Sequence, residues 1–299
     1  MTLNDWKTRG KFFAYRGHQI FYRDEGTGFP VLCIHGFPTA SWDWHCVWPE
    51  LTSRFRVVAL DMIGFGFSDK PHAYEYSILD QATLHETFLE YLKIDRAHIF
   101  AHDYGDTVAQ ELLARCEDRS RQGQSGLDIV SVCFLNGGLF PEVHRARFIQ
   151  KLLNSPLGPL IGKMISKEKF CRSLSAVFGP KTQPSTEELA AFWTLNSANQ
   201  GTQIAHKLIR YIGERKQFRE RWVGTLQQTR IPLRVINGLA DPVSGAHMVE
   251  RYRELISNPD VVGLEGIGHY PQVEAPAAVL EGFLSLIGKI ERDRSTPST

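Results

Sequence analysis

Apolar, β-branched residues recur along the chain in short runs: Pro30 to Ile34, Arg56 to Leu60, Ala97 to Ala101, Ile129 to Leu135, Leu233 to Asn237 and Asp260 to Leu264. Each is the length of a strand buried on both faces. Helix-length segments lie between them, among them Ser77 to Leu92, Asp106 to Cys116, Gly245 to Leu255 and Pro276 to Ile287. Strands alternating with helices predict an α/β fold with a mostly parallel central sheet, right-handed crossovers and helices on both faces. Tyr15 to Gly26 predicts an antiparallel hairpin at the start. The rhythm breaks between Gly138 and Trp222, where Pro156, Pro159, Pro180 and Pro184 punctuate helical composition and a basic helix is expected from Gln203 to Arg221. The chain therefore divides into a core of residues 1–137 and 223–299 and a helical cap insertion of residues 138–222. Polar Glu117 to Gly126 is expected as an exposed loop, and Arg292 to Thr299 as a frayed tail.

Composition narrows the functional classes. With 299 residues, 42% hydrophobic and 22% charged, the chain is ordinary globular material. Its 34 Lys and Arg balance 33 Asp and Glu, so bulk charge calls for neither nucleic acid nor an anionic membrane. No stretch approaches the roughly 18 apolar residues of a spanning helix, and Met1 to Gly10 is polar; a cytoplasmic protein acting on a small molecule is expected. Cys33, Cys46, Cys116, Cys133 and Cys171 are odd in number and lack C-x-x-C spacing, which fits reduced thiols.

The most informative segment is His98-Ile-Phe-Ala-His-Asp-Tyr-Gly-Asp-Thr-Val-Ala-Gln-Glu-Leu-Leu-Ala-Arg115. A strand runs into a helix through Asp103-Tyr104-Gly105 with almost no loop, which sets Asp103 at the carboxyl end of a central strand, where ligands of open α/β sheets bind. The simpler role for Asp103 is a helix N-cap. Two further strand ends favour catalysis: Ile236-Asn-Gly-Leu-Ala-Asp241-Pro closes on an acid, and Glu265-Gly-Ile-Gly-His269-Tyr-Pro carries a glycine-flanked histidine. The order nucleophile, acid, histidine is that of an α/β-hydrolase triad. Leu32-Cys-Ile-His35-Gly36-Phe37-Pro38 opens from a buried strand into a turn whose amides can serve an oxyanion hole.

Other patterns point nowhere. Gly64-Phe-Gly66-Phe-Ser-Asp69 lacks the third glycine of a dinucleotide fingerprint and is followed by Lys70-Pro71 instead of a helix. His98 and His102 are spaced for a metal pair on a helix but lie in a strand, so neither metal nor cofactor is expected. No Gly-x-Ser-x-Gly occurs to supply a serine nucleophile. Trp42, Trp44 and Trp48 are expected as core or pocket wall.

His-Gly-Phe-Pro, Asp61-Met-Ile-Gly-Phe-Gly-Phe-Ser-Asp, His-Asp-Tyr-Gly, Gly-Leu-Ala-Asp-Pro and Gly-Ile-Gly-His together resemble the α/β-hydrolase superfamily, in particular its aspartate-nucleophile branch. Within it the chain resembles epoxide hydrolases and, most closely, the mesoderm-specific transcript family. That family's His-Asp-Tyr-Gly-Asp-x-Val-Ala-Gln-Glu-Leu elbow and its Arg-Tyr-Ile…Arg-Trp-Val-Gly segment are reproduced at His102 to Leu112 and Arg210 to Gly224.

The resemblance implies a covalent alkyl ester on Asp103, formed with a small apolar electrophile and hydrolysed by water that His269, oriented by Asp241, activates. The amides of Phe37 and Tyr104 would hold the oxyanion, and His35 and Trp193 would face the substrate. Tyr211, the one tyrosine of the insertion, lies 21 residues before Pro232, similar to a cap tyrosine that protonates the leaving alkoxide in epoxide hydrolases. The second such tyrosine has no counterpart. Haloalkane dehalogenases carry Asn and Trp where this chain has Phe37 and Tyr104, which leaves Trp193 as a halide donor. Dehalogenation and a hydrolase-fold binding protein with little turnover stand as alternatives to epoxide hydrolysis.

Overall fold

All six apolar runs become strands: five are buried along almost their whole length, and the sixth, from Asp260 to Leu264, forms a half-exposed strand at the sheet edge. The structure, a computed structural model, describes residues 1–295, with the backbone alone for 294 and 295. Its eight strands are β1 (Lys11–Tyr15), β2 (His18–Glu25), β3 (Pro30–Ile34), β4 (Arg56–Leu60), β5 (Arg96–His102), β6 (Asp128–Leu135), β7 (Leu233–Gly238) and β8 (Val261–Leu264). They form one sheet in the order β1-β2-β4-β3-β5-β6-β7-β8. β2 pairs antiparallel with β1 and β4, and all other neighbours are parallel. Alternation sends Leu32 and Ile34 into one apolar cluster and Val31 and Cys33 into the other. On the second face Phe100 stacks on Phe283, with ring centroids 4.3 Å apart. Trp42, Trp44 and Trp48 are buried there too. All five cysteines are free thiols, and burial alone pushes the Cys33 thiol upward.

Three expectations change. The helix after β5 does not stop at Cys116: it runs Tyr104–Gln122 and ends at Gly123, whose φ of 64° suits glycine. Its polar end is a solvated helical face, with Arg119 bound to Glu86 and Asp118 to Arg221. The single basic helix from Gln203 to Arg221 is broken into Ala205–Leu208, Tyr211–Gln217 and Arg219–Gln228. The break lets Tyr211 and Arg215 face the strand ends while Arg221 and Trp222 dock on the Tyr104–Gln122 helix, two directions that one straight helix cannot serve. The helix Arg219–Gln228 also straddles the expected cap boundary at residue 222. Finally, the presumed tail begins within the helix Pro276–Ser295, and residues 296–299 lie outside the described residues.

Glu111 joins the returning chain to the core. Its nearly buried carboxylate accepts from Arg115 Nε at 2.9 Å, Arg221 Nε at 2.8 Å and Trp222 Nε1 at 2.8 Å. Burial pushes its pKa up, but the bonds from Arg221, Trp222 and Arg115 outweigh that and hold it below the usual glutamate value. Glu111→Gln should cost about 3 kcal/mol in urea unfolding at pH 7, because it removes the charge that two arginines face. A depressed folded pKa stabilises above the unfolded value, so the difference between wild type and variant should shrink as pH falls through the folded pKa.

Candidate active site

Asp103 sits in the turn between β5 and the Tyr104–Gln122 helix, with φ 47° and ψ −103°. That conformation is costly for a residue with a side chain and is held by its surroundings. The turn can be this tight because Gly105 passes close to β3: a Cβ there would lie 2.5 Å from Ile34 O and 2.7 Å from His35 O. Asp103 occupies the N-cap position, yet its side chain makes no capping bond. One carboxylate oxygen, Oδ2, instead accepts from the Phe37 amide at 3.1 Å and faces His269 Nε2 at 3.9 Å. The Tyr104 amide, at the first position of the helix, makes no bond to that carboxylate among the described residues.

His269 Nδ1 lies 2.7 Å from Asp241 Oδ2. Asp241 is itself fixed by Asn136 Nδ2 at 2.9 Å, Ser244 Oγ at 2.8 Å and the Val243 amide at 2.7 Å. His102 Nε2 reaches the His269 carbonyl at 2.7 Å, securing the loop from β8. Burial would lower the His269 pKa, but the carboxylates of Asp241 and Asp103 overcome it and hold the imidazole well above its ordinary value. Burial alone would raise Asp103; His269 and Arg215 hold it below the usual carboxylate range.

Tyr211 is brought to this site. Its ring packs 4.8 Å from Tyr104 and 6.1 Å from Phe37 and lies under the Arg215 guanidinium at 4.5 Å, and its buried hydroxyl closes no well-formed hydrogen bond among the described residues. Burial, then the charge of Asp103, raises its pKa. Neither His35 nor Trp193 lines the cavity over the site, and neither do Asp103 and Tyr211, whereas Phe37 and His269 do. His35 Nδ1 is 2.9 Å from Gly36 O and Nε2 accepts from the Met62 amide at 3.0 Å; burial depresses its pKa to about 3, so it is a neutral brace of the turn. Trp193 packs on Phe170.

Arg215 is a neighbour that the motifs did not reveal. Its guanidinium donates through Nε to Thr107 Oγ1 at 2.7 Å and through Nη2 to the Asp103 carbonyl at 3.0 Å, and lies 3.7 Å from Asp103 Oδ1. Its position four residues after Tyr211 puts both on one helical face, which is the signal that could have found it. Asn136 also escaped notice; it sits at the end of β6 with φ 44°.

The cavity is about 340 Å³ and is lined mainly by apolar groups, including Phe37, Leu153, Ile161, Val177 and Tyr270, and also by His269. Among the described residues His45, Cys46 and Glu188 bring three potential metal-ligand atoms within 4.8 Å of one another. None of them lines this cavity, and His45 already engages Trp42 O and Cys46 Sγ. His98 and His102 have separate partners, Ser131 Oγ and His269 O.

A strained acidic elbow after β5, an acid after β7 and a histidine after β8 of a mostly parallel sheet define an α/β-hydrolase, and residues 30–121 match the family model described as alpha/beta hydrolase fold. The chain belongs to the mesoderm-specific transcript family within that fold: it is 44% identical to the mesoderm-specific transcript protein of Mus musculus over 297 residues, 95% of this chain and 88% of that protein. The fold is shared with the haloalkane dehalogenase DbeA-M1 loop variant from Bradyrhizobium elkanii at TM-score 0.78 and 22% identity, covering 96% of this chain and 98% of that one. It is shared equally with the epoxide hydrolase CorEH at TM-score 0.75 and 19% identity, covering 94% and 99%.

Proposed function

We propose that this α/β-hydrolase opens epoxides to vicinal diols through an ester on Asp103. The observation that carries the reading is the Asp103 carboxylate, held between the Phe37 amide and the His269–Asp241 pair, with the Tyr211 hydroxyl buried beside it. The carboxylate attacks an epoxide carbon, the carbon–oxygen bond breaks, and the alkoxide takes the Tyr211 proton. His269 then removes a proton from water as the hydroxide adds to the ester carbonyl. The amides of Phe37 and Tyr104 receive the oxyanion. Collapse frees the diol and the carboxylate, and solvent returns the histidine proton to the phenolate. The apolar cavity keeps bulk water from the ester, and the insertion of residues 138–222 acts as its cap.

Tyr211→Phe tests the leaving group. The ring and its contact with the Arg215 guanidinium, 4.5 Å from its centroid, are kept, so the melting temperature should change little. Ester formation from an epoxide should slow about 10²-fold or more, whereas an alkyl halide, whose leaving group needs no proton, should react as before. Equal losses on both would assign Tyr211 a packing role; an unchanged epoxide rate would favour dehalogenation.

A further inference from the structure

Of the seven large apolar side chains exposed among the described residues, four fall in one stretch: Phe148 at 79%, Leu157 at 58%, Leu160 at 57% and Met164 at 55%. They sit on or beside the short helices Phe148–Leu153 and Gly158–Lys163, which pack on each other. The inward sides of the same helices line the cavity with Ile149, Leu153 and Ile161, and Met164 does both. The exposed apolar face is therefore the outer side of the helices that wall the cavity, and it meets the cavity at Met164.

Charge is segregated onto that face. Residues 145–172 contain seven basic residues, Arg145, Arg147, Lys151, Lys163, Lys167, Lys169 and Arg172, against one acid, Glu168. The rest of the chain consequently carries more acid than base. None of the seven closes a salt bridge among the described residues; the four lysines share this with the chain's other lysines, whereas Arg145, Arg147 and Arg172 differ from most surface arginines elsewhere, which are paired. Exposed apolar groups ringed by cations mark an interaction surface. A second copy of the chain packed symmetrically on this face would oppose the two sets of cations, and nucleic acid would leave the apolar centre uncovered. An anionic bilayer satisfies both features, with the apolar side chains entering the acyl boundary and the cations meeting headgroups. No helix among the described residues is long and apolar enough to cross a membrane, so the contact is interfacial.

We propose that residues 145–172 form a docking face for an anionic membrane surface, setting the cavity edge at Met164 against the lipid. A substrate dissolved in the bilayer then reaches the cavity without crossing water. The docking is independent of the reaction at Asp103, and its test reads binding alone.

The test is co-sedimentation of the full chain with vesicles of phosphatidylcholine alone or with about one third phosphatidylserine. Wild type should bind the mixed vesicles at least tenfold more tightly than the neutral ones, and less tightly as salt rises. The double variant Phe148→Ser, Leu160→Ser should lose at least tenfold at every salt concentration. The triple variant Lys151→Glu, Lys163→Glu, Lys167→Glu should lose the preference for anionic lipid; each cation near such a surface is worth about fivefold. These side chains do not line the cavity, and thermal melts confirm folding; if the apolar variant fails to fold, the charge variant decides alone. Absence of binding to the mixed vesicles would overturn the proposal. So would binding that neither variant weakens, or a dimer in solution that Leu160→Ser dissolves.

Discussion

His269→Gln should arrest the enzyme as an ester on Asp103. Alkylation needs the carboxylate and, for an epoxide, the Tyr211 proton, but not His269, whereas hydrolysis needs activated water, so turnover should fall by about 10³-fold while the first half-reaction continues. Intact-protein mass spectrometry after incubation with mixed epoxides and haloalkanes reads the result. An epoxide adds its entire mass as a hydroxyalkyl ester, a haloalkane adds its mass less hydrogen halide, and peptide mapping should place either on the Asp103 peptide. The variant should fold, since Asp241 keeps its bonds from Asn136, Ser244 and Val243. An adduct-free protein across a broad panel of both electrophiles would sink the covalent mechanism and favour a binding protein.

The electrostatics of the site explain why the two halves separate. In the resting site the charges of Asp241 and Asp103 both favour the protonated form of His269 over the neutral one, against the effect of burial. Alkylation turns Asp103 into a neutral ester and removes one of those charges, so the imidazole becomes a better base at the step that needs one. A protonated His269 cannot activate water, and acid conditions should therefore make the ester accumulate even in wild type.

How much of this was legible in the sequence depended on which forces set each element. The central strands could be read because burial on both faces demands unbroken apolar runs, and Asp103, Asp241 and His269 because each follows such a run. His35 misled: it adjoins the oxyanion turn, but adjacency in sequence does not say whether a ring faces the cavity or braces the backbone behind it. Arg215 was hidden because its partners, Thr107 and Asp103, lie over a hundred residues away. The balance of 34 basic and 33 acidic residues concealed a basic patch, since a net charge averages over faces.

Replacing Asp103 should remove turnover and also disclose how tightly Arg215 depends on it. Asp103→Asn and Asp103→Ala should each lower turnover by roughly 10⁴-fold or more, the range expected when a nucleophile is removed. Their stabilities should differ. At φ 47° and ψ −103° both residues meet a strained backbone outside the left-handed helical region, but the asparagine amide oxygen can still accept from the Phe37 amide. Both variants leave the buried Arg215 guanidinium 3.7 Å from the place of its lost countercharge, and unpaired buried charge costs about 3 kcal/mol; alanine should lose more, because it also leaves the Phe37 amide without its acceptor. If that pairing is the cause, Arg215→Met in the Asp103→Ala background should recover part of the loss, and a double-mutant cycle by urea unfolding measures it. Additive losses would mean that Thr107 and the Asp103 carbonyl alone hold Arg215. Near-wild-type turnover in fresh Asp103→Ala would remove Asp103 from the chemistry; Asp103→Asn needs prompt assay, because deamidation restores the carboxylate and activity would return with time.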